Sequence, residues 1–221
     1  NNDLLRAVTT NLIDLGWKPI YEGKENIVGL KYGKQNISLE PAGQFELSGQ
    51  PLDNIHQTCD EITGHLNQMK KISLKHNFIL LGMGVEPSKN IKDFSWMPKE
   101  RYNIMSNYMP KVGINGLDMM KRTCSTQVNL DFSSEKDMIK KFRLLLSLES
   151  IGTAIYANSP FNNGTLQSYK SLRSLYWMNT DNQRTGILPF VFNDNFNFET
   201  YVDYALDVPM YFVKRDEKDI D

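Results

Sequence analysis

With 221 residues, 25 Lys plus Arg against 26 Asp plus Glu, and a net charge of −1, the chain is long enough for one domain with a large core or for a piece of a larger one. That balance gives no basic surplus for nucleic acid and no charge asymmetry for a membrane surface, so neither partner is expected. The longest apolar run, residues 78–85, is far too short to cross a bilayer, and no signal-peptide pattern opens the chain. Cys59 and Cys124 lie far apart and make neither a disulfide framework nor a metal motif; two buried free thiols in a reducing, cytoplasmic compartment are expected, with a plastid as the alternative if a transit peptide precedes Asn1.

The apolar spacing then divides the chain. Leu4, Leu5, Val8, Leu12 and Leu15 form one stripe, which predicts a helix over Asp3–Leu15 with Gly16 placed to end it. Ile27–Tyr32 and Asn36–Glu40 read as a hairpin around Gly33-Lys34. Pro41-Ala42-Gly43 makes a corner before a short run, Gln44–Ser48. Ile55, Cys59, Ile62, Leu66 and Met69 give a long helix within Leu52–Asn77, and Phe78–Val85 fits a buried strand. Glu86–Pro98 is a loop, and Lys99–Met109 a helix stopped by Pro110. Thr123–Phe132 is the clearest strand, with Ser125, Gln127, Asn129 and Asp131 on one face. Ser133 or Ser134 should cap a helix running to about Ala157, Asp137 completing a box-like arrangement. A loop over Asn158–Thr165, helices over Tyr169–Thr180 and Phe198–Leu206, and a strand over Met210–Val213 complete the pattern, with no repeat or linker.

Chemistry concentrates in three places. The alternation places Glu40 with Asn36 and Ser38, and Glu46 with Gln44 and Ser48, on polar faces that meet across the Pro-Ala-Gly corner. Paired carboxylates are hard oxygen ligands that suit magnesium, while a solvated sheet face shows the same alternation. Gln127 and Asn129 bring donor and acceptor groups to a face without Lys, which suits a binding site or, equally, solvent. Arg173 and Trp177 share a helical face, followed by Asp181 and Arg184; an Arg fork suits carboxylate or phosphate, and also a surface ion pair. Arg122 and Lys111 are weaker anion contacts. No P-loop or dinucleotide fingerprint is present, His56 and His65 fall on opposite faces of one helix, and no hydrolytic triad is visible.

Leu39-Glu40-Pro41-Ala42-Gly43-Gln44-Phe45-Glu46-Leu47-Ser48-Gly49 resembles the signature of glutamate–cysteine ligases of the plant and proteobacterial type. Matches continue in order through Asn107–Gly113, Arg122–Cys124, Gln127–Glu135, Ala157–Phe161, Asp181, Arg184–Gly186 and Tyr204–Tyr211, covering nearly the whole chain. Two departures stand out: Ala42, where a second Gly is expected, and Met178-Asn179, where Thr-Asp is expected. The resemblance implies an α+β fold, an antiparallel or mixed sheet with packed helices similar to the glutamine synthetase-like catalytic fold. It also implies that residues 1–221 are part of a single catalytic domain cut at both ends. The implied reaction is ATP- and Mg2+-dependent formation of γ-glutamylcysteine from L-glutamate and L-cysteine through a γ-glutamyl phosphate, the first step of glutathione biosynthesis. Glu46 and Arg173 become the expected catalytic residues, and Glu40 and Glu46 the metal ligands. Gln127, Asn129, Arg122, Trp177 and Arg184 become the expected substrate or nucleotide contacts. Glu46, Gln127 and Asn129 are expected on one face of a shared sheet, with Arg173 and Arg184 near it. A related carboxylate–amine ligase with another amine, and a non-catalytic glutamate- or nucleotide-binding fragment, are the rival readings. The oligomeric state is left open.

Overall fold

The apolar stripe at the start of the chain becomes helix α1, Asn2–Asp14, in a computed structural model that describes residues 2–215 and 218–220. Gly16 leaves the helix at φ +98°, a left-handed conformation that favours glycine. The chain then forms an antiparallel meander, β1 (Lys18–Glu22), β2 (Asn26–Tyr32), β3 (Gln35–Leu39) and β4 (Phe45–Ser48), in that spatial order. Strand β1 is not apparent in the alternation, since Pro19 argues against a strand; it is tolerated because β1 is an edge strand. Helix α2, Ile55–His76, starts where the Asn54 side chain accepts hydrogen bonds from the His56 and Gln57 N–H groups, and ends at Asn77 with φ 53°.

The division of the chain follows its packing. Asn1–Gly82 with Ser95–Tyr102 form one unit, and Met83–Phe94 with Asn103–Asp221 the other. In the first, Val8 and Leu12 of α1 and Met69 and Ile72 of α2 pack with Trp17, Leu30 and Ile37. The helices therefore cover the apolar face of the sheet, and the alternation leaves Ser38 and Glu46 on the opposite face. Residues 95–102 attach to this unit through the Met97 N–H, which donates to Pro41 O at 2.8 Å, and the Glu100 N–H, which donates to the Glu22 carboxylate at 2.9 Å.

The second unit is largely helical. It contains most of α3 (Glu100–Val112), then α4 (Gly116–Arg122), α5 (Glu135–Tyr156), α6 (Leu172–Met178) and α7 (Phe198–Asp207). Two small hairpins accompany them, β5–β6 (Phe161–Asn162, Thr165–Leu166) and β7–β8 (Val213–Arg215, Lys218–Ile220). Val85, Leu172 and Tyr176 form one core; Met138, Val191 and Phe196 form another. The turn Asn163-Gly164 has φ of 49° and 78°, as a tight hairpin requires.

Several expectations are corrected. Helix α3 continues through Pro110 to Val112: in the last turn proline removes one N–H, and the Gly113 N–H still reaches Met109 O at 3.2 Å. Helix α4 is new, and α6 is shorter than expected, starting where Ser171 Oγ accepts from the Ser174 N–H. Residues 124–132 form no strand, and Thr123–Asp131 does not join the four-stranded sheet; its single pairing is a bridge between Val85 and Thr123. The alternation is present, but a strand needs a ladder partner, and none is found among the described residues; Val128 is 77% exposed. The same holds for Phe78–Val85. The strand expected at Met210–Val213 lies at Val213–Arg215. Cys59 and Cys124 are exposed, not buried. Among the described residues no helix is long and apolar enough to cross a membrane.

Candidate functional site

The first unit presents an acidic face. Ser38 pairs with Glu46 and Leu39 with Phe45, while the Glu40 N–H donates to Gln44 O at 2.9 Å and the Gly43 N–H to Glu40 O at 2.8 Å. Glu40 and Glu46 thus occupy diagonal positions on one face, about 7–8 Å apart along such a diagonal. Gly43 has φ +84°, and a Cβ there would lie 2.7 Å from Leu5 Cδ1, so the corner needs this glycine. Ala42 has no positive φ and its N–H donates to Gln44 Oε1 at 2.8 Å, so the extra methyl is accommodated. Phe45 and Leu47 pack toward the core and hold the strand; Glu46 is exposed and makes no hydrogen bond among the described residues. Among the described residues the Glu40 carboxylate accepts one long contact, 3.5 Å from the Tyr102 hydroxyl to Oε2.

No group of three or more His, Cys, Asp or Glu among the described residues could hold a metal ion. The pair Glu40 and Glu46 therefore offers no all-protein cage, but fits a magnesium ion that keeps waters and phosphate oxygens, which commonly takes one or two carboxylates. Lys99, which the sequence reading did not single out, lies beside Tyr102, whose hydroxyl approaches Glu40 of this face. It is 8% exposed and stands 5.4 Å from the Tyr102 ring centroid. Burial pushes its pKa down; Glu40 opposes that, Arg101 reinforces it, and Glu22 and Glu46 oppose it further. Only the Tyr three residues after a Lys hinted at the stacking, a weak signal.

The second unit fixes the backbone around one arginine, Arg173. The Asn158 side chain accepts from the Gly84 N–H at 2.9 Å, and the Cys124 N–H donates to Gly84 O at 3.1 Å. Ser159, 1% exposed, accepts through its Oγ from the Arg173 N–H at 3.2 Å and through its carbonyl from the Leu172 N–H at 3.1 Å. Arg173 Nε then donates to Cys124 O at 3.1 Å, and its guanidinium lies 5.6 Å from the Trp177 ring centroid. Its terminal nitrogens donate to nothing among the described residues. Burial lowers the guanidinium pKa and Cys124 opposes the shift, yet an arginine stays charged. A stacked, anchored guanidinium with its fork uncommitted can take a carboxylate or phosphate.

The other predicted arginines are committed internally. Arg122, 4% exposed, donates to Asp118 Oδ1 at 3.0 Å and to Glu86 O at 3.1 Å, with its Nε buried and without a partner. Arg184 donates to Asp181 Oδ2 at 2.6 Å, the Tyr108 hydroxyl at 2.8 Å and Pro209 O at 2.9 Å, and stacks 4.2 Å from the Tyr211 centroid. Tyr108, Asp181, Pro209 and Tyr211, scattered over separate motifs, are thus one packed knot. Gly113 serves a similar end: a Cβ there would meet Thr180 O at 2.0 Å. Asn179 accepts from the Asn115 N–H at 3.1 Å through its carbonyl, and its side-chain amide donates to Leu175 O at 2.9 Å, a bond that an ionised Asp at this position could not make. Gln127 and Asn129 are exposed on the unpaired segment.

Comparison with known proteins fits these motifs. The tobacco (Nicotiana tabacum) protein named glutamate–cysteine ligase, chloroplastic, is 60% identical over 93% of this chain and 39% of its own length. Glutamate–cysteine ligase B, chloroplastic, of Oryza sativa subsp. japonica is 58% identical over 99% of this chain and 44% of its own. The Arabidopsis thaliana protein, also named glutamate–cysteine ligase, chloroplastic, is 58% identical over 93% and 39%. The chain thus spans about two fifths of the length of these relatives. The model of glutamate–cysteine ligase family 2 matches residues 10–221, and the chain belongs to that family.

Proposed function

We propose that this chain acts within an ATP-dependent ligase that joins the γ-carboxylate of L-glutamate to the amine of L-cysteine, the first step of glutathione biosynthesis, in a plastid. The observation that carries the reading is the uncommitted fork of Arg173, anchored on Cys124 O and stacked on Trp177, in a member of this family. Both units are taken as parts of one catalytic domain. The names of the relatives support the plastid over the cytoplasm, since reduced cysteines do not separate the two compartments.

The reaction has two displacements. A γ-carboxylate oxygen of glutamate attacks the γ-phosphorus of ATP; its bond to the β-phosphate oxygen breaks and ADP leaves. The cysteine nitrogen then attacks the acyl carbon, phosphate departs with its bridging oxygen, and the amine loses a proton. The first step gathers anions, so its barrier falls where fixed positive charge meets them. Arg173 supplies such a charge, and its fork matches a carboxylate or phosphoryl group in two hydrogen bonds. Trp177 steadies that fork through a cation–π contact, 5.6 Å from guanidinium to ring centroid. Gln127 and Asn129 contribute amide donors and acceptors for substrate. Arg122 and Arg184 contribute by fixing the backbone around Glu86 and Pro209. Glu40 and Glu46 would hold magnesium, which when bound offsets phosphate charge. Rigid anchoring of β4 by Phe45 and Leu47 keeps Glu46 ready for it.

The test is product analysis with the full-length protein, Mg–ATP, glutamate and cysteine. One γ-glutamylcysteine per ADP is expected. ADP release without γ-glutamylcysteine, or an equal rate with unrelated amines replacing cysteine, would defeat the reading.

A further inference from the structure

We propose that Lys99 is a contact for the phosphate chain of the nucleotide on the acidic face of β3 and β4, an inference that rests on the ligase reading above. Lysine is almost never this buried unless paired, yet Lys99 is 8% exposed and its ammonium makes no ion pair or hydrogen bond among the described residues. Its position is imposed by the backbone. The Lys99 N–H donates to Met97 O at 2.8 Å, and Lys99 O accepts from the Tyr102 N–H at 3.0 Å, while Met97 is itself tied to Pro41 O. The side chain is held 5.4 Å from the Tyr102 ring centroid, whose hydroxyl approaches Glu40. Arg101 stands 5.2 Å from the same centroid as a second, exposed cation.

The carboxylates whose charge favours the Lys99 ammonium are Glu40, Glu22 and Glu46. Glu22 is committed to the Glu100 N–H at the start of α3. Glu40 and Glu46 repel a polyphosphate, so a face that takes one needs fixed positive charge beside any metal. Lys99 is a point charge already in place beside Tyr102, with no ion pair or hydrogen bond among the described residues to give up. An ammonium suits a phosphate oxygen as a point charge and lacks the planar fork that matches the paired oxygens of a carboxylate. Phosphate is therefore assigned to Lys99. The competing account is a lysine that merely packs its stem on Tyr102.

The experiment is lysine acetylation footprinting of the full-length protein by mass spectrometry, with Mg–ATP alone and glutamate alone. Mg–ATP at about ten times its Kd is expected to slow Lys99 modification about tenfold and to leave the exposed Lys34 unchanged. Absence of protection, or protection by glutamate alone, overturns the proposal. Lys99→Met should also weaken Mg–ADP binding about tenfold while glutamate binding holds, and Lys99→Arg should recover part of the loss. If Lys99→Met does not fold, the footprint on the unmodified sequence still decides. A protein that makes γ-glutamylcysteine with Lys99 unprotected defeats this inference alone, whereas one that makes none defeats the ligase reading.

Discussion

Replacing Arg173 by Lys separates a charge from a geometry. Arg173 performs two tasks at once: Nε holds Cys124 O at 3.1 Å, and the terminal nitrogens remain uncommitted above Trp177. Lysine keeps the charge but concentrates its donors on one atom, so it can serve the Cys124 carbonyl or the anion, not both in the same geometry. The loss is then one charge-assisted hydrogen bond, about 1.5–3 kcal/mol, or about 10- to 100-fold. The assay is steady-state kinetics of γ-glutamylcysteine formation in the full-length protein, with glutamate and ATP varied separately. A rise in KM for glutamate identifies a ground-state carboxylate contact; an equal fall in kcat and kcat/KM identifies a contact to the transferring phosphoryl group. Thermal unfolding should move little, because α6 is held by Ser159 and Ser171 rather than by the guanidinium. Unchanged constants for both substrates would return Arg173 to a surface role.

Further outcomes concern the scaffold. Asp181→Ala leaves Arg184, whose side chain is 9% exposed, without its carboxylate and should cost about 3–5 kcal/mol, seen as a large drop in the unfolding midpoint; a shift under about 1 kcal/mol would mean the knot is not a stability element. Gly113→Ala places a methyl 2.0 Å from Thr180 O, which a backbone cannot absorb without moving, so a loss above about 2 kcal/mol is expected in urea unfolding; a neutral variant would contradict the packing described here.

Much of the fold follows from spacing. The stripes of α1 and α2 and the cap of α5 at Ser134, which accepts from the Asp137 N–H at 3.2 Å, need only local information. Strand β1 was hidden because Pro19 is permitted only at an edge, and edge position is a property of the whole sheet. Residues 124–132 carry the alternation of a strand without a neighbour to pair with, so pattern alone overstated them. At the candidate site, the Arg173–Trp177 contact was legible from their helical spacing, but the Cys124 carbonyl that anchors it was not, because a backbone acceptor leaves no mark on residue type. Arg122, Arg173 and Arg184 look alike in sequence; only their partners separate internal braces from an open fork. Lys99 escaped notice for the same reason, since its burial comes from a returning segment that local pattern does not reveal.

The most direct measurement is magnesium-dependent ADP release, in the presence of glutamate and cysteine, by the full-length protein carrying Glu46→Gln. The substitution keeps size and hydrogen-bonding capacity and removes the charge from an exposed position on β4, so the unfolding transition should be retained. The account predicts a rate lower by about 10²–10³ with weakened magnesium dependence. A folded variant that turns over like the parent at every magnesium concentration would contradict the assignment of this face to metal and phosphate.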